Sequence, residues 1–314
     1  MRGNTFGVDM KVSIVIPVYN SEAIIPELCL QICDAMKEYQ FEVVLVNDNS
    51  QDNSWDEIQK ICNKLNAFRG IYLARNFGQD NAIMAGLSFT NGDYVVIMDD
   101  DLQHSPYDIP ALLNTIINDW DVCFANFNVI KQQSWWKNIG SYINSKHSEY
   151  LTNKPKDIFL SSFKIASRFV IDAVLEHNGP YPYVDGLICR TTNSITQIPL
   201  NHHKRYTGKG NYNLSLSVSV FLKHATGFSV LPLRLASMVG FITSIIGFFL
   251  GIYYIFQYFM SDNVVEGWTS LIVLVLLLGG LILLSLGIIG EYIGRSYLSL
   301  NNKPQYVVKK IIND

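Results

Sequence analysis

The chain has 314 residues, of which 49% are hydrophobic and 16% charged, and a formal net charge of −3. That balance excludes binding to nucleic acid through bulk electrostatics. The charged share lies well below the roughly 25% of an ordinary soluble domain, so part of the chain must be unusually apolar.

The first apolar run ends at Pro17 and is too short for a signal peptide. Val12 to Asn20, VSIVIPVYN, reads as a strand entering a loop. SEAIIPELCLQICDAMKEY follows as a helix, with Ser21 as N-cap and Leu28, Ile32, Ala35 and Met36 on one apolar face. FEVVLVNDNS is a strand and turn, WDEIQKICNKL a helix, GIYLA a short strand and QDNAIMAGLSFT a helix. GDYVVIMD, YDIPALLNTIIN and WDVCFANF continue as strand, helix, strand. The alternation predicts an α/β domain with a mainly parallel sheet covered on both faces. The five cysteines, Cys29, Cys33, Cys62, Cys123 and Cys189, form no Cys-x-x-Cys pair and are expected as core thiols of a reducing compartment.

The apolar excess lies at the end. Leu235–Phe259 and Trp268–Gly290 carry no charge over 25 and 23 residues, more than the ~20 a helix needs to cross a bilayer. Two transmembrane helices are predicted. The connection Met260–Trp268 carries Asp262 and Glu266 and no Lys or Arg, whereas Lys223, Arg234, Arg295, Lys303, Lys309 and Lys310 flank the pair. Positive charge on that side predicts a multi-pass inner-membrane protein with its large N-terminal region and both termini cytoplasmic. Asn213–Arg234, sparsely charged and containing Pro232, reads as an interfacial helix. The expected domains are 1–212, the interfacial segment 213–234, spans at 235–259 and 268–290, and a tail, 291–314. Gly279, Gly280, Ser285, Gly287 and Gly290 suit close helix packing, and two lone spans suggest a homo-oligomer.

In an open parallel sheet, ligands bind beyond the carboxyl ends of the strands. Three of those ends carry polar clusters: PVYN (Pro17–Asn20), VNDNS (Val46–Ser50) and MDDDLQ (Met98–Gln103). No GxGxxG follows a strand and no GxxxxGK[ST] occurs, so nicotinamide and P-loop chemistry are excluded. Asp99 and Asp101 are alternate residues at a strand end and can address one point. Adjacent carboxylates resist full ionisation unless a cation sits among them, and hard oxygen donors suit Mg²⁺ or Mn²⁺.

SIVIPVYN, VVLVNDNSQDNS and LARNFGQDNAIMAGLSFTNGDYVVIMDDDLQHSP together resemble the family-2 inverting glycosyltransferases, over about residues 11–125. DLQHSP, together with two spans behind the catalytic domain, narrows the resemblance to the polyprenyl-phosphate glycosyltransferases, relatives of dolichol-phosphate mannose synthase and of undecaprenyl-phosphate sugar transferases. The resemblance implies a GT-A fold, a UDP- or GDP-linked sugar donor, a polyprenyl phosphate acceptor among membrane lipids and a divalent ion. It implies that Pro17, Tyr19 and Asn20 border the nucleotide and that Asp48 contacts the base. Asp99 would face ribose and metal, Asp101 would ligate the metal, and Gln103 would help hold metal or acceptor phosphate. Asn47 departs from a frequent Asp-Asp pair. His104 replaces a common acidic residue and reads as a loop residue.

A lipid monophosphate is largely dianionic at pH 7, so a strong general base is less necessary. The chain contains no Glu-Asp pair. Asp185 in YPYVDGLI is a candidate catalytic carboxylate or else a structural partner. Arg205 and Lys209 in HHKRYTGKGNY are candidates for the acceptor phosphate, or a contact to anionic headgroups. Ser134–Leu151 places Trp135, Ile139, Tyr142 and Ile143 on one helical face, as a membrane-facing lid or as core. A processive polysaccharide synthase would need a Gln-x-x-Arg-Trp motif and more spans, and neither is present; a catalytically silent scaffold would not need Asp48, Asp99, Asp101 and Gln103.

Overall fold

The computed structural model describes residues 10–127, 158–179, 181–201, 231–260, 267–300 and 304–313. Five strands and four helices alternate first: β1 Lys11–Val18, α1 Ile25–Ala35, β2 Gln40–Asn47, α2 Ser54–Cys62, β3 Phe68–Leu73, α3 Gln79–Leu87, β4 Tyr94–Ile97, α4 Ile109–Ile116 and β5 Val122–Asn126. Then come β6 Lys164–Ser167, α5 Arg168–Leu175, α6 Val184–Thr191, β7 Ile195–Pro199, two long helices, α7 Leu231–Met260 and α8 Trp268–Leu300, and β8 Val308–Ile312.

One eight-stranded sheet has the order β7-β5-β6-β4-β1-β2-β3-β8. Its centre, β4-β1-β2-β3, is parallel throughout. Antiparallel β6 stands between β4 and β5, which are therefore not neighbours, and β7 runs parallel to β5. The central strands are apolar almost without interruption because both faces are covered. Ile14, Ile16 and Leu45 point to a core shared with Leu28 and Ile32 of α1, Ile58 of α2 and Leu112 of α4. Val15, Val44 and Val46 point the other way, to Ala82 and Ala85 of α3, Val170 of α5 and Ile188 of α6. The period of two along each strand feeds both layers. Gly86 lets α3 approach closely: a Cβ there would lie 2.4 Å from Val15 Cγ1 and 3.0 Å from Val46 Cγ2.

Two expectations change. Ser21 does not cap α1, which begins at Ile25; its carbonyl accepts the amides of Ile24 and Ile25, and its hydroxyl is engaged elsewhere. The segment 291–314 is not simply a tail. Helix α8 runs on to Leu300, and β8 adds antiparallel to β3. Asn313 fastens that strand, its side-chain amide donating to the carbonyls of Cys62 and Phe68 at 2.6 and 2.8 Å.

The chain divides into two compact units, Met1–Asn211 with Asn302–Asp314, and Tyr212–Asn301. In the second, Ala236–Tyr253 and Leu277–Gly294 are long and apolar enough to cross a membrane, and neither window is buried. Phe241, Phe248, Leu283 and Leu284 are exposed. A Cβ on Gly279, Gly280, Gly287 or Gly290 would meet nothing within 4 Å, so these glycines do not serve packing between the described parts of α7 and α8. Residues 213–230 of the expected interfacial segment and 134–151 of the aromatic stretch lie outside the described residues.

Candidate active site

The loop after each of the four parallel strands holds one residue of left-handed backbone. Asn20 (φ 55°) follows β1, Asn49 (φ 56°) follows β2, Gly78 (φ 91°) follows β3 and Leu102 (φ 57°) follows β4. Asn and Gly adopt this region readily; Leu does so at a cost of about 1–3 kcal/mol, the kind of strain that collects at functional sites. These sharp turns open a cavity of about 310 Å³ over the carboxyl ends of the strands. Pro17 and Tyr19 line it from β1, Asp48 from β2, Asn76, Gly78 and Gln79 from the β3–α3 turn, and Asp99, Asp100 and Asp101 from β4.

The three aspartates divide the work. The Asp100 carboxylate turns toward the β1–α1 loop and accepts the Ser21 hydroxyl at 2.6 Å and the Tyr19 amide at 3.2 Å. Burial raises its pKa to about 6, partly opposed by those two bonds. Asp100 thus orients Tyr19. Asp99 accepts Gln79 Nε2 on Oδ1 and the Ser162 hydroxyl on Oδ2, both at 2.6 Å. Asp101 Oδ1 accepts the Gln103 amide at 3.1 Å.

Among the described residues, no three His, Cys, Asp or Glu side chains are grouped as a ligand set. Two carboxylates at a cavity edge fit Mg²⁺ or Mn²⁺ all the same. Such ions take one or two protein carboxylates and keep positions for phosphate oxygens and water. Asp99 and Asp101 would hold the ion.

Asp48, expected at the base, is 4% exposed. Its oxygens accept the amides of Phe77 and Gly78 at 2.7 and 2.9 Å, so it shapes the β3–α3 turn as well as the cavity wall. Burial pushes its carboxyl up, against the pull of those amides. Asn47 is fully buried, and its Oδ1 accepts the amide and hydroxyl of Ser50, forming the turn after β2. Asn20 accepts the Gln51 amide at 2.8 Å and donates its own amide to Ser50, stitching the first two loops together rather than lining the cavity. His104 is a loop residue, as expected, but not a solvated one. It is buried, with its ring stacked near-parallel to those of Phe127 and Phe163 at 5.1 and 5.3 Å.

Asp185 does not line the cavity. It sits in the first turn of α6, where Lys164 Nζ donates to its Oδ1 at 2.5 Å. Arg205 and Lys209 lie outside the described residues. Gln79, Asp100, Ser162 and Lys164 are site residues that sequence reasoning missed. The first two fall inside the stretches that carry the family resemblance; the other two stand in SSFK, beyond residues 11–125, where the resemblance is looser.

The description "Glycosyl transferase family 2" matches residues 13–175, and "GtrB C-terminal hairpin" matches residues 231–296. The chain belongs to glycosyltransferase family 2. It is 31% identical over 310 residues to undecaprenyl-phosphate 4-deoxy-4-formamido-L-arabinose transferase of Aeromonas hydrophila, covering 96% of this chain and 94% of that protein. It is 30% identical to the Proteus mirabilis transferase of the same name, covering 98% and 96%. An uncharacterized glycosyltransferase of Bacillus subtilis, YkcC, is 31% identical, covering 95% and 93%. In structure the chain is similar to glucosyl-3-phosphoglycerate synthase of Mycobacterium tuberculosis, crystallised with Mn²⁺, UDP and phosphoglyceric acid (TM-score 0.53, 16% identity, covering 69% and 77%). That likeness establishes the GT-A-type fold.

Proposed function

We propose that this enzyme transfers one sugar from a nucleotide-sugar donor to undecaprenyl phosphate, with inversion and with the help of Mg²⁺ or Mn²⁺, yielding a lipid-linked sugar for envelope glycan modification. The observation that carries the reading is the single cavity joining Asp48 to Asp99 and Asp101 at the ends of three neighbouring parallel strands. It is lined by Asp99, Asp100 and Asp101 where a diphosphate-bound cation would stand. The acceptor follows from relatives that match nearly the whole chain, hairpin included.

In the proposed step, an oxygen of the lipid phosphate forms a bond to the anomeric carbon as that carbon's bond to the donor diphosphate breaks. The nucleoside diphosphate leaves with the electron pair, and one displacement inverts the centre. A divalent ion, when bound, would neutralise charge on the departing diphosphate. Tyr19, positioned by Asp100, and Asp48 would border the nucleoside. Gln103 would reach metal or acceptor phosphate, and Arg205 and Lys209 would meet the lipid phosphate. The dianionic acceptor needs no deprotonation, which agrees with Asp185 being engaged by Lys164 instead of facing the cavity.

The membrane reading has a topological support. β8 lies in the same sheet as β1–β7, so the chain leaves this unit after residue 211 and returns to it by residue 302. Two crossings satisfy that return and one does not. The Lys and Arg flanking the pair support a cytoplasmic location for the unit and both termini.

The test uses purified full-length protein, undecaprenyl phosphate, Mn²⁺ or Mg²⁺ and a panel of UDP- and GDP-sugars. Labelled sugar should enter the lipid extract with one nucleotide class and stop in excess EDTA. Asp101→Asn should lower turnover at least about a hundredfold, the upper end of what changes around a metal ligand cost, with folding retained. Wild-type turnover in that variant, or full activity in EDTA, removes the metal from the account.

A further inference from the structure

The Asp99 carboxylate is held from both sides, and the two holds are connected. Gln79, which takes Oδ1, opens α3. Ser162, which takes Oδ2, stands just ahead of β6. Two residues beyond Ser162, Lys164 is only 3% exposed, and its ammonium donates to the Ser161 carbonyl at 3.2 Å and to Asp185 Oδ1 at 2.5 Å. Asp185 follows Val184, whose amide donates to Asp80 Oδ1 at 3.3 Å. Asp80 is the chain neighbour of Gln79. The contacts therefore close a ring: Asp99, Ser162, the Ser161–Lys164 turn, Asp185, the start of α6, Asp80, Gln79 and back to Asp99.

An ammonium buried this deeply is expensive to desolvate, and a buried ion pair adds little net stability over an apolar replacement. What such a pair can fix is geometry. Lys164 binds the turn that carries Ser162 to the helix that carries Asp185, in a dry setting beside the Phe124 ring at 5.8 Å. A serine hydroxyl on a free turn would lose its bond to a carboxylate readily; on a turn anchored by an ion pair it cannot drift.

We propose that Lys164 and Asp185 are positioning residues that act through Ser162, locking the Asp99 carboxylate toward the donor diphosphate and its divalent ion. The inference deepens the reading of the cavity as a donor site and rests on it. It also gives Asp185 a role other than that of a base.

The test measures Mn²⁺ affinity in the presence of UDP or GDP by electron paramagnetic resonance on full-length protein, alongside Tm and transfer rate. Ser162→Ala and Asp185→Asn should each weaken Mn²⁺ binding about 10- to 100-fold, as loss of a partner around a metal ligand does. The double variant should be no worse than the weaker single, because both act through one hydroxyl. Lys164→Arg should retain much of the affinity that Lys164→Met loses. Ser162→Ala deletes one half-buried hydroxyl and keeps the test open should Lys164→Met fail to fold. Wild-type Mn²⁺ affinity in both Ser162→Ala and Asp185→Asn overturns the proposal, as do fully additive losses. Slowed transfer in Asp185→Asn with intact Mn²⁺ affinity and a shifted pH profile also overturns it, by returning Asp185 to a base role. If wild type itself binds no Mn²⁺ with either nucleoside diphosphate, the donor-site reading falls and this inference with it.

Discussion

Burial raises the Asp80 carboxyl to a pKa of about 6; the charge on Asp185 adds to the rise, and the Val184 amide and Lys164 oppose it. The folded chain therefore binds this proton more tightly than the unfolded chain, whose aspartate titrates near 3.9. Between about pH 4 and pH 6 the native state holds more protons, so stability falls as pH rises through that window, and the full cost of the charge is present above it. Asp80→Asn keeps an oxygen for the Val184 amide and removes the charge. It should raise Tm at pH 7.5, by an amount worth about 1–3 kcal/mol, and change little at pH 4. Thermal unfolding of both proteins across pH 4–8 measures this; equal differences at both ends would mean that Asp80 is not a buried charge. The place of Asp48, Asp99 and Asp101 around one cavity was legible at this scale, because they stand at ends of apolar runs. Its wiring was not. Ser162 reaches Asp99 across 63 positions and Lys164 reaches Asp185 across 21, and nothing in SSFK marks a serine or lysine for such a partner.

At the scale of elements, β8 covers what would otherwise be the open edge of β3. An uncovered edge presents unpaired backbone groups and invites association with other chains. The strand is secured well beyond its own ladder. Asn313 ties it to Cys62 and Phe68, its carbonyl accepts Arg69 Nε at 2.9 Å, and Lys309 lies 5.5 Å from the centre of the Tyr72 ring. Truncation after residue 303 should therefore lower Tm by about 5 °C or more, worth one to two kcal/mol in a domain this size, and increase aggregation in size-exclusion chromatography. Unchanged Tm and elution would show that the edge is protected without β8. The early strands were readable because β1, β2 and β4 are apolar runs closed by polar turns. β6 and β7 are only four and five residues long. VKKII carries adjacent lysines among apolar residues, as an edge strand does, and composition alone cannot tell that from a charged tail. The insertion of β6 between β4 and β5 is a matter of pairing, which hydrophobic periodicity does not encode.

At the scale of the whole molecule, the chain pairs an α/β unit with a segment whose two helices expose their apolar side chains. A water-soluble donor and a lipid-bound acceptor require such a combination. The C-terminal strand makes the combination obligatory in sequence, because the sheet is completed only after the hairpin has been made. The central claim concerns which bond is made: glycosyl transfer to a lipid monophosphate leaves one phosphorus in the product, between sugar and lipid. Phosphorus NMR of the lipid formed by purified protein from undecaprenyl phosphate and its nucleotide sugar measures this directly. The account predicts a single phosphodiester resonance in the lipid and release of nucleoside diphosphate. A pyrophosphate-linked lipid with release of nucleoside monophosphate, or sugar incorporated without any change in the lipid phosphorus, would contradict it.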